Sequence, residues 1–541
     1  MASVRQRHTF ILQSQFPASP EKLSLTPESL SMHDIYAARQ DRIVIVPELA
    51  MEKELLQTVT NVRFEIVSSE NYFHVPPFDR TIAWGTHIYV SPTDADDFDW
   101  NGFCTFINMA ISADTPCVGR ISFIDLPFGH YLYSTSTSTA TLSTYLSTTN
   151  LATTADADDL VSSDYISLSF NKQSEDHRTR GKVVGEAYWQ PREWTETFDA
   201  GSRDKRIEAG LLAMISDDPD GDRAFGGILA VVGEAQQFVP TLFDFEPRHR
   251  KLREPAQYAS HFRLPYGLHP KHLTHITGNL TMPRTKSKVL TDDANSAVTC
   301  GLYGYYTMPS YLFVDQYQIS DLTELPSISG VKRVVGIWGE TDLEIPVWMV
   351  DKWGSTMLLE LQPPVQQQEE DLTDVAVAEG PTVSATVGTG FDIEVPMHSR
   401  YEVPAWNTST VAHDIPWPIF FWACNGSSES EMITGPFDSN GHGHESFFAP
   451  GTSFSYLVPD KPYSNPLDNS TSDLVTDLHI PVVPLDTYKY VQPWTVAVIL
   501  LGAFWIIGKT LQGLKRDGGI RKRQGVKPDN AKLKKTASKV E

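Results

Sequence analysis

The chain lacks every compact signature of bond-making chemistry. Its 541 residues contain no GxSxG elbow, no phosphate-binding GxxxxGK[ST] loop and no HExxH pair. Nucleophilic hydrolysis, nucleotide hydrolysis and zinc proteolysis therefore have no support in the sequence. Cysteine is scarce, with four residues and no CxxC pair, which argues against a thioredoxin-like redox site or a cysteine-built zinc site. The even count, Cys104, Cys117, Cys300 and Cys424, allows three full connectivities. In an oxidising lumen, Cys104 with Cys117 would close a short loop and Cys300 with Cys424 would staple distant strands. Basic residues are also in deficit, 44 Lys and Arg against 67 Asp and Glu, for a net charge of −23.

Long apolar runs are absent with one exception, WTVAVILLGAFWIIG from Trp494 to Gly508. Extended to Val491–Leu511 it makes a helix of about 31 Å at about 1.5 Å per residue, enough for a thin bilayer of about 27 Å. Tyr488, Tyr490, Trp494 and Trp505 are suited to the interface. From Lys509 onward eleven Lys and Arg stand against three acids, whereas the first 508 residues hold 33 basic and 64 acidic side chains. Positive residues stay cytosolic, so this asymmetry predicts a cytosolic tail, 512–541, and an acidic bulk in the lumen. Because it follows a membrane span directly, the basic run is read as an orientation signal rather than a nucleic-acid patch. Glycosylation sequons at Asn279, Asn407, Asn425 and Asn469 all precede the span. The N-terminus, MASVRQRHTFILQSQF, has no apolar signal-peptide core, so the reading expects the lone span to act as a reverse anchor.

Hydrophobic residues at 41% and aromatics at 11% are ample for packed cores. Short stretches rich in Ile, Val, Phe and Tyr, such as Arg7–Gln13, Val62–Val67, Thr81–Val90 and Tyr165–Phe170, read as strands bounded by turn residues. Residues 1–247 are expected to form a β-rich lumenal domain interrupted by a flexible Ser/Thr insertion at 134–164. Arg206–Ile215 is the best helix candidate there, although AGLLAMI fits a buried strand equally. Residues 258–487 repeat the β-rich pattern and are expected to form an antiparallel β-sandwich carrying a disordered insertion at 362–390. The predicted fold class is thus mostly β, two lumenal domains followed by a single transmembrane helix.

Three further patterns could be drawn as metal sites, and each reads better as a turn or as chance. GHGHES, with His442, His444 and Glu445, could be drawn as a metal cluster, but its HxH pair flanked by glycines lacks a third ligand at any recognised spacing. Ser216–Gly227 has Asp218, Asp220 and Gly221 at calcium-loop offsets but Ser and Gly at the loop's first and last positions. DxD pairs, Asp94 with Asp96 and Asp156 with Asp158, are cheap in so acidic a chain.

The second block carries a series of ordered motifs. CGLYGYYTMPSYLFVDQYQIS, from Cys300 to Ser320, joins a strand ending at a Cys to a Pro-containing turn, Leu312 and Phe313, Val314–Asp315 and Tyr317. Upstream lies YGLHPKH at Tyr266–His272; downstream follow TDLEIPVW at Thr341–Trp348, VPMHSRYEVP at Val395–Pro404, FFWAC ending at Cys424, and IPVVP at Ile480–Pro484. In this order, followed by one span and a basic tail, the stretches resemble the PIG-X family over roughly Ser260 to Leu511. RQRHTFIL near the N-terminus resembles the start of its longer fungal members, the protease-B-nonderepressible type.

The resemblance implies a non-catalytic subunit of the endoplasmic reticulum enzyme that adds the first mannose to the glycosylphosphatidylinositol precursor. Its partner would be a polytopic catalytic subunit of the PIG-M type, which takes mannose from dolichyl phosphate mannose. Family members stabilise that enzyme, and fungal ones are linked to the folding of other lumenal proteins. No cofactor, metal or nucleic acid is implied. Leu312, Phe313, Asp315 and Tyr317 are the candidate partner contacts, with core packing as the competing role for Leu312 and Phe313 and a structural role next to a turn for Asp315. A general lumenal folding factor and a lumenal enzyme of unrecognised type are the alternative functions.

Overall fold

The computed structural model describes residues 4–13, 22–46, 53–68, 74–112, 114–148, 159–172, 180–200, 205–218, 221–234, 237–252, 256–278, 280, 282–283, 299–343, 345–363, 390–425, 436–437, 442–460 and 474–521. The chain divides into two compact units, Met1–Glu402 with Val411–Pro481, and Val403–Thr410 with Val482–Glu541. The strands in chain order are β1 (Val4–Leu12), β2 (Leu23–Leu25), β3 (Ser29–Ile45), β4 (Val59–Val67), β5 (Gly85–Pro92), β6 (Ile124–Leu126), β7 (Gly129–Ser134), β8 (Tyr165–Asn171), β9 (Val183–Asp199), β10 (Lys205–Asp217), β11 (Arg223–Val231) and β12 (Val239–Phe245). They continue as β13 (His249–Lys251), β14 (Gln257–Arg263), β15 (Lys271–Thr277), β16 (Thr299–Pro309), β17 (Leu312–Val314), β18 (Val331–Gly339), β19 (Gly354–Leu361), β20 (Phe391–Ser399), β21 (Thr410–Pro416), β22 (Ile419–Asn425), β23 (Ser453–Tyr456), β24 (Val458–Pro459) and β25 (Val475–Pro481).

The first twelve strands make one sheet in the order β12-β11-β10-β1-β3-β9-β8-β4-β5-β7-β6, with β2 on β3. Its pairings are antiparallel except for β1 with β10. A second sheet runs β13-β23-β22-β16-β19-β18 and a third β17-β20-β15-β14-β24. Side chains alternate along a strand, so each sheet has two distinct faces. In β4, Val62, Phe64 and Ile66 point to one face, where Phe64 packs on Phe103 and Phe106 of the helix Trp100–Phe106 at ring separations of 6.1 and 5.8 Å. Arg63 and Glu65 point to the other. In β16, Leu302, Tyr306 and Met308 enter a core shared with Tyr258, Ile276, Ile393 and Val395 of the third sheet, which makes the second and third sheets a sandwich. Tyr305, on the opposite face of β16, packs instead with Ala83, Phe421, Phe454 and Tyr456.

Between the first and second sheets lies a buried chain of charges. Arg63 Nε meets Glu65 at 2.7 Å, Arg80 Nη1 meets Glu65 at 2.5 Å, and Arg80 Nε donates to Glu445. His444 and Glu445 open a short 3-10 helix, His444–Phe447, and both are buried, with His444 Nε2 3.0 Å from the Tyr456 hydroxyl. GHGHES therefore supplies a core ion pair and a ring contact. Among the described residues no group of three or more His, Cys, Asp or Glu could hold a metal ion.

The mostly β fold with one C-terminal apolar helix agrees with the sequence, while several local expectations are corrected. Arg206–Ile215 is strand β10, because Ala209–Ala213 pairs with β1 on one side and β11 on the other and is buried throughout. Within the Ser/Thr-rich stretch, Ala140–Thr148 is a helix whose Leu142 and Ser143 are buried, so that portion packs despite its polarity; 149–158, with Asp156 and Asp158, lie outside the described residues. Of the expected insertion 362–390, residues 364–389 lie outside them too. The Cys300–Ser320 motif spans β16 and β17 and runs into the helix Gln316–Leu322.

The second unit contains the helix Leu485–Arg521, of which Lys489–Leu514 is long and apolar enough to cross a membrane, with mean hydropathy 1.8. Its first turn is tied to the unit's other segment, since Leu485 N donates to Ala405 O at 2.9 Å and Val482 N to Ser409 O at 2.9 Å. Pro493 is inside this helix.

Candidate partner-binding surface

Four of the motifs come together around β17: Leu312–Asp315, His269 of YGLHPKH, the TDLEIPVW segment, and His398 with Arg400 of VPMHSRYEVP. β17 is three apolar residues, and Leu312 and Phe313 are each 1% exposed. Both are core, which removes them as partner contacts in the folded state. Asp315 ends the strand and caps the next helix. Its Oδ1 accepts from Tyr317 N and Gln318 N at 3.0 Å each, and its Oδ2 lies 2.7 Å from His398 Nε2. Burial raises the Asp315 carboxyl, but the Gln318 N–H, the His398 contact and the Tyr317 N–H outweigh it and hold the group below its ordinary pKa. Asp315 is thus a structural cap, and of the four candidates Tyr317, 68% exposed, presents surface.

His398 and Arg400 organise the rest. The His398 ring stacks on Phe313 at 5.5 Å and meets the edge of His269, from YGLHPKH, at 4.6 Å. Arg400 lies over the Phe313 ring at 4.2 Å and is 3% exposed. Its guanidinium donates to the carbonyls of Glu340 at 3.1 Å, Ile345 at 2.9 Å and Asp342. Burial lowers the Arg400 pKa, yet three carbonyl dipoles suit a guanidinium, whose planar donors cannot be deprotonated in practice. One buried cation therefore pins the loop 340–350 from beneath.

That loop carries the exposed apolar side chains. Val347 N donates to Tyr401 O at 3.1 Å, joining the 3-10 turn Val347–Met349 to the segment after β20. Trp348 is 57% exposed, Met349 65%, Tyr401 60% and Leu343 48%. Single exposed apolar residues are ordinary, but a Leu, a Trp and a Met on a pinned loop that is hydrogen-bonded to the segment carrying an exposed Tyr match the composition of protein interfaces. The sequence quoted TDLEIPVW and VPMHSRYEVP as motifs and gave them no role. The signal for one was present in their aromatic and Arg content.

The other predicted positions fall elsewhere. Cys104 is bonded to Cys117, with Cα atoms 5.1 Å apart, and Cys300 to Cys424, across the β16–β22 pair. Asn425 is exposed at the end of β22 and accepts a hydrogen bond from Thr299 N at 3.2 Å; Asn407 is exposed at a φ of 58°. Asn279 and Asn469 lie outside the described residues.

Comparison with known proteins gives a consistent neighbourhood. A profile of the PIG-X / PBN1 family matches residues 265–511. The chain is 30% identical to a protein of Emericella nidulans named Protein pbn1, over 96% of this chain and 97% of that one. It is 28% identical to Protein pbn1 of Aspergillus oryzae over 99% of this chain and 100% of that one, and 26% identical to Protein pbn1 of Neurospora crassa over 95% and 96%.

Proposed function

Since the chain belongs to the PIG-X / PBN1 family, we propose that it is the non-catalytic subunit of the endoplasmic reticulum mannosyltransferase that adds the first mannose in glycosylphosphatidylinositol-anchor biosynthesis. The observation that carries this reading is the loop pinned by Arg400, which leaves Trp348 and Met349 exposed and is hydrogen-bonded to the segment of exposed Tyr401, so that two of the family-like motifs, TDLEIPVW and VPMHSRYEVP, share one surface. A subunit of this kind needs affinity alone: contacts made only with the folded partner lower the partner's unassembled population by mass action. The exposed loop binds lumenal loops of a polytopic catalytic subunit, and the helix Lys489–Leu514 lies beside that subunit's membrane helices. The acidic bulk is lumenal and the basic tail cytosolic.

Affinity capture of the tagged full-length chain from membranes in mild detergent tests the proposal. The polytopic mannosyltransferase should be recovered with it, and Trp348→Asp with Tyr401→Asp should reduce recovery at least tenfold while the protein's own abundance holds. An endoglycosidase shift on the same sample reports the lumenal side. Recovery unchanged by both substitutions would remove the loop from the interface, and absence of the enzyme from the wild-type capture would remove the assignment.

A further inference from the structure

The second unit holds a turn that the proposed function does not use. Val403–Thr410 reads VPAWNTST, a stretch without a charge in a chain of net charge −23. It runs beside the backbone that enters the helix Leu485–Arg521. Ala405 forms a parallel bridge with Pro484, its carbonyl accepts from Leu485 N at 2.9 Å, and the Ser409 carbonyl accepts from Val482 N at 2.9 Å. Because the bridge is parallel, the chain from Ala405 to Asn407 advances in the direction in which Pro484 leads into the helix. It then turns back: Asn407 takes a φ of 58°, which Asn tolerates better than most residues, and Thr408 Oγ1 accepts from Thr410 N at 3.2 Å. Trp406 thus stands at the tip of a turn tied down on both sides, and it is 66% exposed.

The apolar part of the helix, Lys489–Leu514, is 26 residues, about 39 Å at about 1.5 Å each. That approaches the about 40–45 Å of a bilayer with both headgroup layers, so Lys489 falls near the outer edge of the headgroups and Leu485 about one helical turn beyond it. A turn bonded to Leu485 and advancing toward the helix reaches the headgroup level, where Trp is favoured because its ring is apolar and its indole N–H can still meet water. The neighbouring exposed side chains are suited to the same level: Val403 and Val483 in the two paired segments, and Tyr490 and Trp494 early in the span. We propose that the Val403–Thr410 turn lies in the headgroup layer of the bilayer, with Trp406 inserted as a second membrane contact beside the helix. The inference takes from the accessory-subunit reading only the membrane span, and uses neither the mannosyltransferase nor the Trp348 loop.

Hydroxyl-radical footprinting of the full-length protein, purified alone and placed in phosphatidylcholine nanodiscs, tests it, with tryptophan oxidation read residue by residue by mass spectrometry. Trp348, Trp406 and Trp494 are 57%, 66% and 70% exposed in the protein itself, so lipid is what should separate them. Trp348 is expected to oxidise freely and Trp494 to be protected, and Trp406 should be protected at least fivefold relative to Trp348. In the same nanodiscs, phosphatidylcholine carrying a diazirine near the glycerol end of an acyl chain should label residues 403–407. Trp406→Glu should cut that label at least fivefold while label on the helix Lys489–Leu514 holds. Oxidation of Trp406 at the rate of Trp348, or label confined to the helix or indifferent to Trp406→Glu, overturns the proposal and leaves the span in place. Protection of Trp406 that appears only in native membranes would give the turn to a protein partner and overturn it equally. Oxidation of Trp494 at the rate of Trp348 would remove the span, and this inference with it.

Discussion

Replacing Glu445 by Leu strips one anion from the buried chain of alternating charges. Arg63, Glu65, Arg80 and Glu445 carry two positive and two negative charges, and Arg80 is the link, 2.5 Å from Glu65 and hydrogen-bonded to Glu445. Burial raises the Glu445 carboxyl, but Arg80 and the nearby His249 and Arg248 overcome this and hold its pKa well below the carboxylate range. The removed group is therefore an anion, and two cations remain against one carboxylate in a region where Arg63 and Glu65 are each 1% exposed. Breaking a buried pair by deleting one partner costs about 3–5 kcal/mol. For a cooperative unit of several hundred residues this lowers Tm by roughly 1 °C per kcal/mol, about 3–5 °C in all. Tryptophan fluorescence during heating of the full-length protein in mild detergent measures it. Arg80→Met combined with Glu445→Leu leaves Arg63 paired with Glu65, so the double variant should lose less than the sum of the two single losses, by a coupling of about 2 kcal/mol. Strict additivity, or a single-variant loss within the ~0.5 kcal/mol of a surface change, would refute the idea that these four groups depend on one another.

Acid should weaken the same body through its buried histidines. Burial holds His249 and His272 at a pKa of about 3 and His444 at about 4, so these side chains stay neutral while the unfolded chain's histidines protonate below about 6.5. Stability is then full above about pH 6.5 and falls toward pH 4, by roughly 4 kcal/mol per pH unit for the three together; a Tm flat between pH 6.5 and 4.5 would contradict this. Asp315→Ala should cost about 1–2 kcal/mol through the lost helix cap, read as a lower denaturation midpoint, whereas Trp348→Asp should leave that midpoint unchanged and lose partner recovery. Chain-entropy arguments give about 3 kcal/mol for the Cys104–Cys117 loop of 13 residues and about 5 kcal/mol for the Cys300–Cys424 loop of 124. The Ser double variant of the second pair should accordingly be the less stable in denaturant titration.

What could be read from the sequence follows from how locally each feature is determined. The membrane helix and strands such as β4 and β22 depend on composition within a few residues, and they emerge directly. AGLLAMI could not be resolved alone, because a segment buried on both faces has no periodicity; only its neighbours β1 and β11 make it a strand. The helix Ala140–Thr148 was hidden by a Ser/Thr-rich composition in which Leu142 is buried together with a polar neighbour, Ser143. Charged residues at alternate positions in VRFEIV imitate a solvated strand face, and their partner Arg80 lies 15 residues from Glu65 while Glu445 lies 365 from Arg80. The surface proposed for the partner is legible as motifs and illegible as geometry: Arg400 reaches back 55 residues to Ile345, and no spacing rule marks such a contact.

The most direct test of the central claim is to quantify the mannosyltransferase polypeptide and first-mannose transfer in the same membranes, with and without this chain. The account predicts that both fall together, leaving activity per enzyme molecule unchanged, and that a Trp348→Asp, Tyr401→Asp chain fails to restore either. A fall in transfer with the enzyme at full abundance would mean that this protein takes part in the reaction, and would contradict the account.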